Sequence, residues 1–375
     1  MSTKKIVKGR WKNVEYIFYI YNAKRKTDKI FSIVLFIIEG SKKLEIYKEG
    51  VKAIINDVSR LFPEYNVRIY FDSTSASFVE QFINRDNVEL YLYSFPQFYN
   101  KTTKTHFGMF GTLIRYLPLF DIPEHQSKQT IVFDVDNKLF KNSKIVINYF
   151  NKTSDMRLIY RNRFCYLDDR ILKIGLKIKH PIISSLVCQR GTVPKEIFID
   201  FINDCLLKSC QRYTKFLKDV YGKSNRETML QYGVDEYFMN SDFINYYVDN
   251  KIPYSIFISG NSSVKGVNLW IKTSRNEIVK NPYAMELIDK ILKLANESGN
   301  SNPQSKMEML ENILRDKKMD SKFNVDISVL VSGYDRKKLE MPVPYYECIF
   351  DDKMFKKDIL IITMKDGKET IKTIR

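Results

Sequence analysis

Between residues 14 and 93 the chain alternates β-favouring runs with segments of helical period, and few folds accommodate that order. VEYIFYIY (14–21), FSIVLFII (31–38), NVRIYF (66–71) and VELYLY (88–93) are rich in β-branched and aromatic residues. From Ser41 to about Leu61, apolar residues fall at Leu44, Tyr47, Val51, Ile54, Ile55 and Val58, three or four apart, which predicts an amphipathic helix. A shorter helix is expected from about Ala76 to Ile83. Parallel neighbours need a crossover between them, and helices supply it. The expected fold class is therefore α/β: a mostly parallel, doubly wound sheet of Rossmann type with helices on both faces.

The 375 residues, 44% of them hydrophobic, suffice for one large domain or two moderate ones. The character of the sequence changes after Trp270. An amphipathic stretch (283–297), a polar run SGNSNPQS (298–305), a second helical stretch (306–316) and strand-like runs at 325–331 and 359–363 follow. Residues 1–270 are expected to form the main domain, and 271–375 a small C-terminal α/β appendage. The formal charge of +17 is uneven: residues 1–270 hold 41 Lys and Arg against 27 Asp and Glu, whereas the remainder nearly balances. A basic main domain suits an anionic ligand. No zinc-finger spacing, RGG run or RRM signature accompanies that charge, so a basic nucleic-acid-binding module stands as an alternative without a motif behind it. Five cysteines, odd in number and without CxxC spacing, fit a reducing compartment. The start MSTKKIVKGRW lacks an apolar signal region, and 30–38 is too short to span a bilayer. A cytoplasmic protein without a membrane span is the expectation.

The chemistry concentrates at IVFDVDN (131–137), a short apolar strand ending in Asp134 and Asp136. In an open α/β sheet, ligands bind beyond the carboxyl ends of the strands. Residues i and i+2 of a strand share a face, so both carboxylates could address one hard cation with Val135 turned into the sheet. Mg²⁺ or Mn²⁺ asks for oxygen ligands, typically one or two carboxylates plus substrate phosphates. A solvated turn would carry the same residues. Upstream, Gly108 and Gly111 interrupt a helical segment at a cost of about 1 kcal/mol each relative to Ala, which suggests close approach by another group. Arg115, four residues after Gly111, would share its face and reach a phosphate or one of the aspartates.

This stretch, with its internal arginine, PLF exit, loop and strand ending in DxD, resembles nucleotide-sugar-dependent glycosyltransferases of the GT-A fold, including retaining galactosyl- and glucosyltransferases and the toxin-like glucosyltransferases. The resemblance implies a metal-dependent hexosyltransferase acting on a glycan or protein acceptor, with residues 1–270 as its nucleotide-sugar-binding catalytic domain. Asp134 and Asp136 would hold Mn²⁺ or Mg²⁺ and the donor diphosphate, and Arg115 would contact the nucleotide. It also places the nucleotide near Tyr19, Tyr21 and Asn22 at the end of the first strand and near Asp72 at the end of the third. Core aromatics and a helix cap are the plain readings of those four. The later stretch YGVDEYFMNSDF (232–243) resembles the acidic motif of blood-group-type galactosyltransferases, with Val234 where that family has histidine. By that likeness Glu236 would lie at the reacting sugar and Asp235 would bind sugar hydroxyls; acidic residues at a helix start are also favoured by the helix dipole alone. Ser184 and Ser185 would line the sugar site. Gly260, Lys265, Gly266 and Trp270 are similar to a diphosphate-closing loop, with Lys265 on the phosphate. IVFDVDN also resembles the first motif of haloacid-dehalogenase-like phosphatases, in which Asp134 would be the nucleophile, but Lys138 stands where that family has threonine.

Overall fold

The computed structural model describes residues 4–37, 44–136, 141–161, 182, 186–206, 234–259, 267–271, 327–331 and 359–374. In chain order, β1 (Lys4–Trp11), β2 (Val14–Tyr21) and β3 (Lys29–Leu35) precede helix α1 (Leu44–Leu61) and β4 (Asn66–Phe71). Then come α2 (Ala76–Val79), β5 (Val88–Ser94), the short strands β6 (Tyr99–Asn100) and β7 (Thr105–His106), α3 (Phe110–Ile114) and β8 (Gln129–Phe133). Helix α4 (Lys141–Lys152) and strands β9 (Leu158–Arg161) and β10 (Leu186–Arg190) follow. They lead to helices α5 (Glu196–Leu206), α6 (Val234–Phe238) and α7 (Ile244–Asp249), and then to β11 (Tyr254–Ser259). Strands β12 (Val267–Ile271), β13 (Ile327–Val331), β14 (Ile359–Lys365) and β15 (Lys368–Ile374) complete the described chain.

Eleven strands form one sheet in the order β1-β2-β5-β4-β3-β8-β10-β9-β11-β14-β15. Its centre, β5-β4-β3-β8, is parallel. Both flanks turn antiparallel, through β2 against β5 and β10 against β8. The α/β expectation therefore holds, with parallelism concentrated in the middle strands. From β3 the chain moves outward to β4 and β5, then returns to place β8 on the other side of β3. That reversal of strand order makes β3 and β8 the switch point at which a ligand crevice is expected.

Two cores lie on opposite faces of the sheet. Along α1, Val51, Ile54, Ile55 and Val58 are buried at helical spacing and pack with Phe31, Ile33 and Leu35 of β3. The other face is covered by α3, α5, α6 and α7, with Leu113, Phe198, Phe238 and Tyr247 among the fully buried side chains. Alternation decides which residue serves which core: along β8, Ile131 and Phe133 join the α1 side while Val132 joins the other.

Several sequence expectations are corrected. The run KIVINY (144–149), which by composition reads as a strand, lies inside α4, where Val146, Ile147 and Phe150 are buried at helical spacing against the α1-side core. Its β-branched composition suits a strand, but the tertiary packing favours a helix. A first strand, β1, precedes VEYIFYIY, closing a hairpin through Lys12, whose φ of 54° turns the chain. The segment 76–83 is helical, with its last turn a 3₁₀ turn. Within the expected appendage, β14 pairs with β11, and β14–β15 is a hairpin turned by Asp366-Gly367 at positive φ, so these residues continue the main sheet. The helices expected at 283–297 and 306–316 lie outside the described residues. No helix among the described residues is long and apolar enough to cross a membrane.

Candidate functional site

Strand β8 is buried over its whole length and ends with Phe133 opposite Leu186 of β10. Beyond it the chain turns. Asp134 keeps a quarter of its side chain exposed, Val135 packs against the α1-side core, and Asp136 is exposed. Helix α1 fixes this turn by close backbone contact. A Cβ on Gly50 would lie 1.7 Å from the Val135 carbonyl oxygen, so only glycine permits the approach. Asp136 is also within electrostatic reach of α1: the Tyr47 hydroxyl is pushed above its ordinary pKa, chiefly by burial and further by Asp136.

Arg115 emerges from the end of α3 and is 4% exposed. Its Nη1 donates to Asp134 Oδ1, and its Nη2 donates to Asp235 Oδ2 at 2.7 Å. Nη2 also lies 3.2 Å from the Tyr116 hydroxyl. The Nε–H is buried without a hydrogen-bond partner. Its backbone carbonyl accepts from Ser32 Oγ of β3 at 2.6 Å, which ties α3 to the central strand. Burial alone would weaken the guanidinium's charge, but Tyr116, Asp235 and Asp136 hold its pKa above the ordinary arginine value. The seat of α3 depends on Gly111, whose added Cβ would meet the Phe36 ring at 2.5 Å. The sequence signal of close approach at this glycine is explained by that aromatic, which caps the end of β3.

Asp235 comes from α6, with 6% exposure. Through Arg115 it meets Asp134, although the two lie about a hundred residues apart in sequence. Glu236 is half-buried, and its carbonyl accepts from Asn240 Nδ2 at 2.7 Å. Asn240 also holds both sides of residue 182: its Oδ1 accepts from Ile182 N at 2.6 Å and its Nδ2 donates to Ile182 O at 2.9 Å. This asparagine sits in a π-helical turn, Met239–Phe243, between α6 and α7. Such turns concentrate at functional sites.

Other predicted positions fall elsewhere. Tyr21 of β2 pairs with Leu90 near the start of β5, and β5 runs parallel to β8 through β4 and β3. Followed across those registers, Tyr21 stands level with the last residues of β8, but β5, β4 and β3 lie between β2 and Asp134, so Tyr19, Tyr21 and Asn22 are set apart from it laterally. The order of strands, which local composition does not encode, makes β3 rather than β2 the central strand. Asp72 does lie at the carboxyl end of β4, but it is 1% exposed and both oxygens are engaged. Oδ1 accepts from Thr74 N at 3.0 Å as a helix cap, and Oδ2 lies 3.1 Å from His106 Nδ1. His106 Nε2 accepts the Phe95 N–H at 3.2 Å, which leaves the ring proton on Nδ1 facing Asp72. This clamp joins the ends of β4 and β5 and leaves Asp72 closed to a ligand. Ser184, Ser185, Gly260, Lys265 and Gly266 lie outside the described residues, as does the side chain of Trp270.

A cleft of about 340 Å³ opens past the carboxyl end of β3, between the start of α1 and the segment 74–81. Leu35, Ile37 and Phe78 give it apolar walls, Lys48 of α1 stands at its side, and Ser75 Oγ is buried in its lining without a hydrogen-bond partner.

Among the described residues no three His, Cys, Asp or Glu side chains gather as a ready-made metal cage. The donor set nonetheless suits a hard cation of the Mg²⁺ or Mn²⁺ kind. Asp136 is exposed, Arg115 engages only Oδ1 of Asp134, and one or two carboxylates are what such ions take from a protein when phosphates complete the shell.

No family model and no curated protein matches the chain. Among solved structures, one that is similar is 4-diphosphocytidyl-2C-methyl-D-erythritol synthase from Anaerococcus prevotii. It shares 10% identity, covers 50% of this chain and 84% of its own, and has a TM-score of 0.26.

Proposed function

We propose that this chain is a nucleotide-dependent transferase that moves a hexosyl group from a nucleotide sugar to a glycan or protein acceptor. The observation that carries the reading is the ion-paired junction of Asp134, Arg115 and Asp235 beyond the carboxyl ends of the central strands, at the reversal of strand order. Asp136 and the outer oxygen of Asp134 would hold Mn²⁺ or Mg²⁺ together with the donor diphosphate. That cation would neutralise charge on the departing nucleotide. The cleft past the end of β3, with apolar walls from Leu35, Ile37 and Phe78 and polar groups from Lys48, Thr74, Ser75, Ser77 and Gln81, suits the nucleoside. Asp235 aligns Arg115, and Glu236, next on the same helix, is the candidate at the reacting sugar. A phosphohydrolase with Asp134 as nucleophile is less well supported, because a carboxylate oxygen that accepts from a buried guanidinium is a poorer nucleophile.

The test is thermal unfolding with a panel of nucleoside diphosphates and nucleotide sugars, each with Mn²⁺ or with EDTA. A ligand present at about 100 times its Kd adds about 2.7 kcal/mol to the folded state, which a melting curve reads easily. The expected result is a Mn²⁺-dependent rise for one base that Asp136→Asn abolishes. A flat response across the panel would overturn the reading.

A further inference from the structure

Arg115 raises a question that a simple phosphate contact does not answer. Its Nη1 sits on the carboxylate that the proposed function assigns to a cation, its Nη2 is taken by Asp235, and its Nε–H has no partner although the residue is 4% exposed. A positive charge beside Asp134 opposes the arrival of a second one. A buried N–H without an acceptor is unfavourable and calls for an oxygen. Neither feature suits a bridge that serves only to hold the fold.

We infer that Arg115 is an exchangeable counter-ion and positioning residue: it holds Asp134 in the free chain and gives it up when a divalent cation arrives together with an anionic ligand. This rests on the reading of Asp134 and Asp136 as cation ligands. On release, Nη1 and the unpartnered Nε provide donors for the anion, while the bond from Nη2 to Asp235 keeps the guanidinium in place. Cation and anion then bind cooperatively. The cation is weak alone because it must displace a buried charge, and the anion is weak alone because Arg115 already has carboxylate partners.

The experiment measures Mn²⁺ binding by the electron paramagnetic resonance signal of the free ion, without nucleotide. Arg115→Met is expected to bind Mn²⁺ about tenfold more tightly than the wild type, because a neighbouring positive charge is gone. Saturating inorganic phosphate is expected to tighten Mn²⁺ binding severalfold in the wild type and not in Arg115→Met. Should Arg115→Met fail to fold with Asp235 left buried and unpaired, Arg115→Met/Asp235→Asn removes both charges and takes its place in the comparison. Equal or weaker Mn²⁺ binding in the folded variant, or no phosphate effect in the wild type, would overturn the exchange. Asp136→Asn separates the two levels of the argument. If it leaves Mn²⁺ binding untouched in every background, the cation sits elsewhere and the underlying reading fails as well.

Discussion

Gly50→Ala is the perturbation whose consequence can be worked most directly from the structure. The new methyl carbon would lie 1.7 Å from the Val135 carbonyl oxygen, and Cβ contacts below 3.0 Å essentially do not occur. Helix and acidic turn must therefore separate by at least about 1.3 Å, and because the obstacle is backbone, no rotamer change relieves it. Against this, alanine in a helix interior is favoured over glycine by about 1 kcal/mol. Overpacking typically costs about 1–3 kcal/mol, so the net loss of stability should be small, about 0–2 kcal/mol. The effect on the site should be disproportionate, since a misplacement of about 1 Å can cost about a hundredfold in function. Mn²⁺ binding and thermal unfolding measured side by side on Gly50→Ala read both quantities. Glu49→Ala, on the exposed face of the same helix, serves as the control and should change stability by no more than about 0.5 kcal/mol. The expected outcome is a nearly unchanged melting temperature with Mn²⁺ affinity reduced about tenfold or more. If Gly50→Ala melts higher, as its helix propensity alone would dictate, and binds Mn²⁺ as the wild type does, then α1 does not set the acidic turn.

Asn240→Ala should destabilise the fold by about 2–4 kcal/mol, because it strands both the N–H and the carbonyl of residue 182, each costing about 1–3 kcal/mol when buried and unpaired. Urea unfolding of Asn240→Ala beside Asn240→Asp, which keeps the acceptor and loses the donor, separates the two bonds. His125 makes a pH prediction. It is 1% exposed, with Nδ1 3.0 Å from the Tyr70 hydroxyl, and burial together with Arg68 holds its pKa well below the ordinary histidine value. The unfolded chain then binds a proton that the folded chain refuses, so stability is full above the unfolded pKa of about 6.5 and falls below it by about 1.4 kcal/mol per pH unit. His125→Asn should flatten the dependence between about pH 6.5 and 5 in urea titrations, and an unchanged slope would show that the proton is taken up elsewhere.

What could be read from the sequence, and what could not, follows from the range of the interaction involved. Helix α1 was legible because its buried residues recur at helical spacing, and β8 because a β-branched run ending in two aspartates and a turn residue fits little besides a buried strand and its exit. Local composition says nothing about lateral order. VEYIFYIY was therefore legible as a strand but not as the antiparallel neighbour of β5, and that order puts three strands between β8 and Tyr19, Tyr21 and Asn22. The β-branched run at 144–149 misled in the other direction, since packing against the α1-side core made a helix of it. Gly50 reads in sequence as a flaw in a helix and in space as the contact that holds the acidic turn.

The same distinction separates the two acidic motifs from their connection. Each motif was visible by itself, as a strand end and as a helix start, and solvation or the helix dipole suffices to account for either one alone. Neither accounts for a buried arginine that donates to one carboxylate of each. Replacing buried ion pairs by apolar residues is often neutral or stabilising, so such a junction is weak evidence of a device for stability. Here it stands at the strand-order reversal of the sheet, with one N–H unspent and an exposed carboxylate next to it. A charge cluster placed there, with its donors incompletely used, is what the proposed cation and anionic ligand would complete.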